Sequence, residues 1–204
     1  MQLYYSPNAI SQTTELLVRF LELENDIEKI AIDFASGEQR SDAYLAKNPL
    51  GRVPLLVTEQ GNLSETPAIL TYLGRLNPHA GLVPADPWAE AKMQSAMSFL
   101  ASTMHVAWAH GRRGARWSDD PEVIEALKVK VPQNMRDAFR IFLEAHFVGP
   151  WVLGEAMSVA DFHLFVIVSW VQMLDIDVAD YPALADHQAR MKAIHSIAPL
   201  INSW

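Results

Sequence analysis

The stretch Asn48-Pro49-Leu50-Gly51-Arg52-Val53-Pro54-Leu55-Leu56, followed by Ser64-Glu65-Thr66-Pro67-Ala68-Ile69-Leu70, decides the fold. The first part carries a turn into a short apolar strand. Its proline cannot donate to a ladder, so Pro54 belongs at a strand's start or edge. The strand runs over 53–58, Gly61 marks a turn, and 62–64 returns as a short partner, which reads as a hairpin. The second part opens a helix, with Thr66 at the cap and Pro67 at the favoured first position, running to about Leu76. An open strand edge beside a helix N-terminus suits a small extended acid. The edge can pair with the ligand's main chain as an added strand. The free N–H groups and dipole of the helix favour its carboxylate by about 0.3–1 kcal/mol.

Upstream, Leu3-Tyr4-Tyr5 reads as a strand and Ser6-Pro7-Asn8 as a turn. Ser11 or a Thr just after it caps a helix with apolar positions Leu16, Leu17, Phe20, Leu21 and Leu23. Residues 28–32 form a second strand, and a short helix falls near 41–47. The order is β-α-β-α-β-β-α. Pro78, Gly81, Pro84 and Pro87 then mark a linker over 78–87. Beyond it the pattern is helical: Trp88 to about Gly111, Pro121 to His146, Val159 to Leu174 and Pro182 to about His195. The predicted domains are therefore 1–77, α/β, and 88–204, all-helical.

The 204 residues carry a formal net charge of -8, which argues against general phosphate-backbone binding. No cysteine is present, so thiol chemistry must use a thiol brought by the ligand. No H-E-x-x-H pattern or carboxylate cluster suggests a metal. The most apolar run, Phe162 to Leu174, is broken by His163, Ser169 and Gln172 and is too short to span a bilayer. It reads as a buried core helix. Met1-Gln2-Leu3-Tyr4-Tyr5 has no signal-peptide character, and a cytoplasmic location is expected.

The chain resembles the soluble glutathione transferase superfamily, nearest to its bacterial beta-like branch. The likeness rests on Leu3-Tyr4-Tyr5-Ser6-Pro7, Asn48-Pro49-x-Gly51-x-Val53-Pro54, Glu65-Thr66, and Gly154-Glu155-x-x-Ser158-Val159-Ala160-Asp161-Phe162. It implies a thioredoxin-like first domain, a helical second domain and a symmetric homodimer. It also implies glutathione as co-substrate and a cis Val53–Pro54 bond, which the residue pair alone leaves open because only roughly 5–6% of X–Pro bonds are cis. By the same resemblance Glu65 and Thr66 clasp the γ-glutamyl end. Arg52 can reach the glycyl carboxylate.

Ser11 is the expected thiolate partner. A free thiol has pKa near 8.5, and lowering it by two units takes about 2.7 kcal/mol. One charge-assisted hydrogen bond of about 1.5–3 kcal/mol, with a helix N-terminus, is enough. Beta-like relatives carry a cysteine at the position of Ile10, so Ile10 is a departure, and Tyr5, Ser6 and Asn8 stay open as alternatives. His105, Trp108 and Arg112 share a helix face by their spacing and, with Ile10, are expected to line an acceptor pocket. His105 matches a histidine that faces the sulfur in the relatives. Arg112, Arg113 and Arg116 form a basic cluster. Ser158 and Asp161 are a capping box without chemistry, and Met93 and Met97 a helix–helix seam. The activity expected is transfer of glutathione to a small hydrophobic electrophile. The alternatives are a glutathione-binding protein with little turnover, or a glutathione-dependent isomerase or lyase.

Overall fold

The computed structural model describes residues Met1–Ser203 in two compact units. The first comprises Met1–Val83 and the segment from Arg190 onward; the second is Pro84–Ala189. The first unit holds β1 (Gln2–Tyr5), α1 (Gln12–Phe20), β2 (Glu28–Ala31), α2 (Asp42–Leu45), β3 (Leu55–Thr58), β4 (Gly61–Ser64) and α3 (Thr66–Leu76). The sheet order is β2-β1-β3-β4, with β1 parallel to β2 and β3 antiparallel to both β1 and β4. This is the expected thioredoxin-like order. The central strands bury Leu3, Tyr4, Leu55 and Leu56, as strands covered on both faces must. The outer strands β2 and β4 are polar and largely exposed.

Helix α1 is buried along nearly its whole length, including Thr13, Thr14 and Glu15. It ends where Glu22 adopts a positive φ of 56° and Leu23 donates back to the Val18 carbonyl at 2.9 Å. Its apolar residues Leu16, Leu17 and Val18 have no exposed surface.

The second unit contains α4 (Pro87–Phe99), α5 (His105–Arg113), α6 (Pro121–Ala145), α7 (Val159–Ser169) and most of α8 (Pro182–Lys192). The helix read over 88–111 is interrupted by a π-helical segment at Leu100–Met104. Helix α7 is buried on every side from Val159 to Val168, as an all-round apolar helix must be. Met93 and Met97 of α4 are buried, and α4 packs on α7. The capping box forms at the start of α7. Asp161 Oδ2 accepts from the Ser158 N–H at 2.7 Å and from its hydroxyl at 3.1 Å, and Oδ1 accepts from the Val152 N–H at 2.8 Å. His187 Nε2 lies 3.1 Å from the same Oδ1. No helix among the described residues is long and apolar enough to cross a membrane.

The partition differs from the sequence reading at the C-terminal end. Residues from Arg190 onward were read as part of the helical domain, but they belong to the first unit. There Arg19 Nε donates to the Ser196 carbonyl at 3.1 Å. The segment's own helix, α9 (Ala198–Ile201), has four residues, too few to show a period that says what it packs on.

Two stability predictions follow from these contacts. Asp161→Ala strands the buried Val152 and Ser158 N–H groups and lowers unfolding free energy by at least about 3 kcal/mol, read from the urea midpoint. Burial pushes the Glu15 carboxyl up to about 7, against the lowering by the nearby Lys29 ammonium. The folded state then keeps a proton that the unfolded state releases. This contribution is present below the unfolded pKa and is lost as pH rises through about 7, roughly 3 kcal/mol in all. Glu15→Gln should remove that slope, so its stability relative to wild type rises between pH 4.5 and 8 in parallel denaturation curves.

Candidate functional site

The turn ahead of β3 is built by Asn48. Its carboxamide oxygen accepts from the Leu50 N–H at 3.2 Å, and its Nδ2 donates to the Arg52 carbonyl at 2.8 Å. The Tyr44 hydroxyl donates to the same carbonyl at 2.7 Å. Gly51 sits at φ 59°, and a Cβ there would meet the Gln39 carbonyl at 2.7 Å, so only glycine closes this turn. The chain then enters the cis Val53–Pro54 bond. The ladder begins only at Leu55, which pairs with Tyr4 and Ser64. Val53 N–H and C=O are left without a hydrogen-bond partner among the described residues. Strand three therefore starts two residues later than the sequence suggests, and the difference is an open stretch of backbone.

Because Leu55 pairs with Ser64, Val53-Pro54 and Glu65-Thr66 continue side by side beyond the ladder. Glu65 adopts φ 75° and ψ 120° with an exposed side chain. Such a backbone is strained in a non-glycine residue and concentrates at ligand clamps. Its carbonyl accepts from the Ile69 N–H at 3.0 Å, which starts α3. The Thr66 and Ala68 N–H groups have no acceptor among the described residues, and Pro67 has no N–H. Arg52, Val53, Pro54, Glu65 and Thr66 thus come together on one face of the first unit.

Ser11 is placed differently from the expectation. Its side chain is fully buried and closes the loop onto Ser6. The Ser6 N–H donates to Ser11 Oγ at 3.0 Å, and the Ser11 hydroxyl donates to the Ser6 carbonyl at 3.1 Å. Its one hydrogen is directed to the Ser6 carbonyl here, and it makes no side-chain cap. A hydroxyl in a tight buried loop satisfies the nearest backbone groups first. Asn8, at φ 56°, makes the turn. The N–H groups of Ile10 and Ser11 have no acceptor among the described residues. Tyr5 lies under Lys29, whose Nζ is 5.7 Å from its ring centroid, and burial followed by the Glu15 charge pushes its hydroxyl pKa up.

In the second unit, the π-helical segment delivers His105 to the start of α5. Its ring lies 5.3 Å from that of Trp170, and Trp108 stacks on Trp170 at 5.5 Å and 24°. His105 and Trp108 thus both lie against Trp170. Arg112 Nη1 lies 4.0 Å from Met173 Sδ, where Met173 is exposed. Behind this group His163 is fully buried, with neither ring nitrogen partnered among the described residues. Burial, with a smaller effect from His105, drives its pKa down to about 3, so it is neutral. Trp170 and His163 were missed because both fall in a run read as plain core. The polar rings breaking that run are the only signal that could have found them. Ile10, also assigned to the acceptor pocket, lies in the first unit and is buried. No group of His, Asp and Glu suited to a metal converges among the described residues.

Residues 1–75 match the family described as glutathione S-transferase, N-terminal domain, and 101–194 match glutathione S-transferase, C-terminal domain. The chain belongs to the glutathione S-transferase superfamily. A glutathione transferase homologue from Sulfitobacter, solved with bound glutathione, is 40% identical with a TM-score of 0.93, covering 99% of this chain and 97% of that one. The beta class glutathione S-transferase of Sphingomonas chungbukensis is 27% identical at a TM-score of 0.83, over 100% and 98% of the two chains. Glutathione S-transferase GstA of Escherichia coli O157:H7 is 25% identical over 94% of this chain and 92% of its own.

Within this glutathione S-transferase fold, Ser11 reads as a loop clasp. Ser11→Ala removes two buried hydrogen bonds and should lower unfolding free energy by about 1–3 kcal/mol. A urea titration of the variant against wild type measures it.

Proposed function

We propose that this chain binds glutathione on its first unit and transfers it to a small hydrophobic electrophile. The observation that carries the reading is the open backbone of Val53 beside the unpartnered N–H groups of Thr66 and Ala68. Val53 offers one donor and one acceptor to the ligand's central residue, as an added strand. The start of α3 takes the γ-glutamyl carboxylate, and Glu65 takes its ammonium. Arg52, exposed on the same face, takes the glycyl carboxylate.

The thiolate belongs at the start of α1, on the N–H groups of Ile10 and Ser11. Two charge-assisted hydrogen bonds of about 1.5–3 kcal/mol each exceed the roughly 2.7 kcal/mol that a two-unit drop in thiol pKa requires. The Ser11 side chain then acts as a positioning group through the loop. Ile10 presents no sulfur, so no mixed disulfide forms on the protein. The thiolate sulfur forms a bond to the electrophilic carbon, and the electron pair leaves with the displaced group or moves onto the acceptor. His105 is the group assigned to receive that developing charge as a proton donor, on an aromatic wall of Trp108 and Trp170. Arg112 is assigned to the acceptor site of the second unit, and Ile10 to the thiolate loop of the first. We assign the protein to the cytoplasm, as a symmetric homodimer acting in detoxification.

Ile10 in place of a sulfur-bearing residue favours a second reading, a glutathione-binding protein with little turnover. Ultraviolet spectra of the glutathione complex separate the two. Thiolate absorption at pH 7, retained in Ser11→Ala, together with turnover on an electrophile panel, supports transfer. Binding without thiolate supports the second reading, and activity confined to double-bond isomerisation supports an isomerase. Glu65→Ala should weaken glutathione binding at least tenfold by calorimetry, about 1.4 kcal/mol. Absence of heat with millimolar glutathione on the wild-type protein would overturn both.

A further inference from the structure

The first unit carries a second concavity that uses none of the residues assigned to glutathione. Glu15, Val18 and Arg19 lie three and four apart on one face of α1 and form its floor and one wall. Lys29 of β2, Glu24 of the preceding turn, and Pro199, Leu200 and Ser203 of the returning segment complete the lining. The cavity is half open to solvent and its volume is about 240 Å³. That is below the roughly 300–1,000 Å³ of sites for drug-sized ligands, so the occupant is small.

Its chemistry is set by Glu15, which is 5% exposed. A carboxylate can accept about four hydrogen bonds. Here its nearest cation, Lys29 Nζ, is 3.7 Å away, longer than a charge-assisted bond of about 2.7–2.9 Å. The other cation, Arg19, is paired with Glu24 and with the Ser196 carbonyl. A buried carboxylate with unused acceptor capacity calls for a donor. Among the described residues the charged lining is Glu15 and Glu24 against Arg19 and Lys29, which balances. A balanced lining with both signs separated favours a ligand that is itself neutral overall and bears both signs.

We propose that this cavity is a binding site for a small aliphatic α-amino acid in its zwitterionic form. The ammonium sits on Glu15, the carboxylate lies at the rim against Lys29 and Arg19, and the side chain covers Val18, Pro199 and Leu200. The groups facing Glu15 are Lys29 from β2, Tyr5 from β1, and Arg19 and Glu24 along α1 and its following turn. Among the described residues the returning segment contributes Pro199, Leu200 and Ser203 to the lining, none of them charged. Because burial pushes the Glu15 carboxyl up to about 7, an arriving ammonium draws a proton off it. Proton release per ligand bound falls from nearly one at pH 6 to about a tenth at pH 8, and affinity rises about tenfold across that range.

The test is backbone amide NMR of the whole protein titrated with L-norvaline, valerate and n-butylamine. Valerate lacks norvaline's ammonium and n-butylamine lacks its carboxylate. The expected result is saturable shifts at Val18, Arg19, Lys29 and Leu200 with norvaline, with both partial probes at least tenfold weaker. Glu15→Gln and the cavity-filling Leu200→Trp should each weaken norvaline at least tenfold while keeping native spectra. No saturable shift, equal binding of the amine alone, or unchanged affinity in a folded Glu15→Gln would overturn the proposal. So would shifts confined to Glu65 and Thr66, which would place the probe on the glutathione face instead.

Discussion

The carbonyl of Arg52 receives two hydrogen bonds, from the Tyr44 hydroxyl and the Asn48 carboxamide, and the ligand face of the first unit depends on that double attachment. It pins the backbone one residue before Val53. It also holds the turn whose glycine admits no side chain. With Arg52 held and the ladder starting only at Leu55, Val53 is left between two fixed points with its own N–H and C=O unpaired. Backbone groups in a folded protein are nearly always satisfied, so this unpaired pair is the feature on which the proposed function rests. The register of β3 on β4 then sets the start of α3 beside it, and Glu65 takes on strain to make the corner.

The first unit treats its two helix starts by the same logic. At α3 the unpartnered N–H groups follow Pro67 and the strained Glu65. At α1 they precede a helix whose entry loop is closed by Ser11 on Ser6. In each case a side chain fixes the loop and the backbone is left to meet an anion. In the proposed function this division is what would let a chain without cysteine hold a ligand's thiolate on backbone amides. The hydroxyl need not touch sulfur if it places the amides that do.

Much of this was readable in advance. The Asn-Pro-x-Gly turn, the hairpin after it and the Thr66-Pro67 helix start are local signals, each settled within a few residues by backbone sterics. Ser158 and Asp161 are three apart, and their capping box is equally local. Ser11 was not readable. Whether a buried hydroxyl caps its helix, meets a ligand or clasps a neighbouring loop depends on which group lies closest, and Ser6 is closest only once the loop is folded. The π-helical segment before His105 likewise leaves no mark on hydrophobic spacing. Trp170 and His163 looked like core because a helix buried on every side has no polar face to betray which side matters.

The order of strands and helices, the absence of a protein thiol and the chemistry each motif can offer were written in residue types and spacings, because those follow from short-range sterics and from composition. Which hydroxyl is engaged, which backbone groups stay open and where the chain's last segment packs were settled by contacts between residues far apart along the chain. Arg19 meets Ser196 across 177 positions, and no local pattern encodes such a meeting. Long-range proximity also changes the ionisation of the groups it encloses, which is why Glu15, an ordinary glutamate by sequence, holds its proton to about neutral pH.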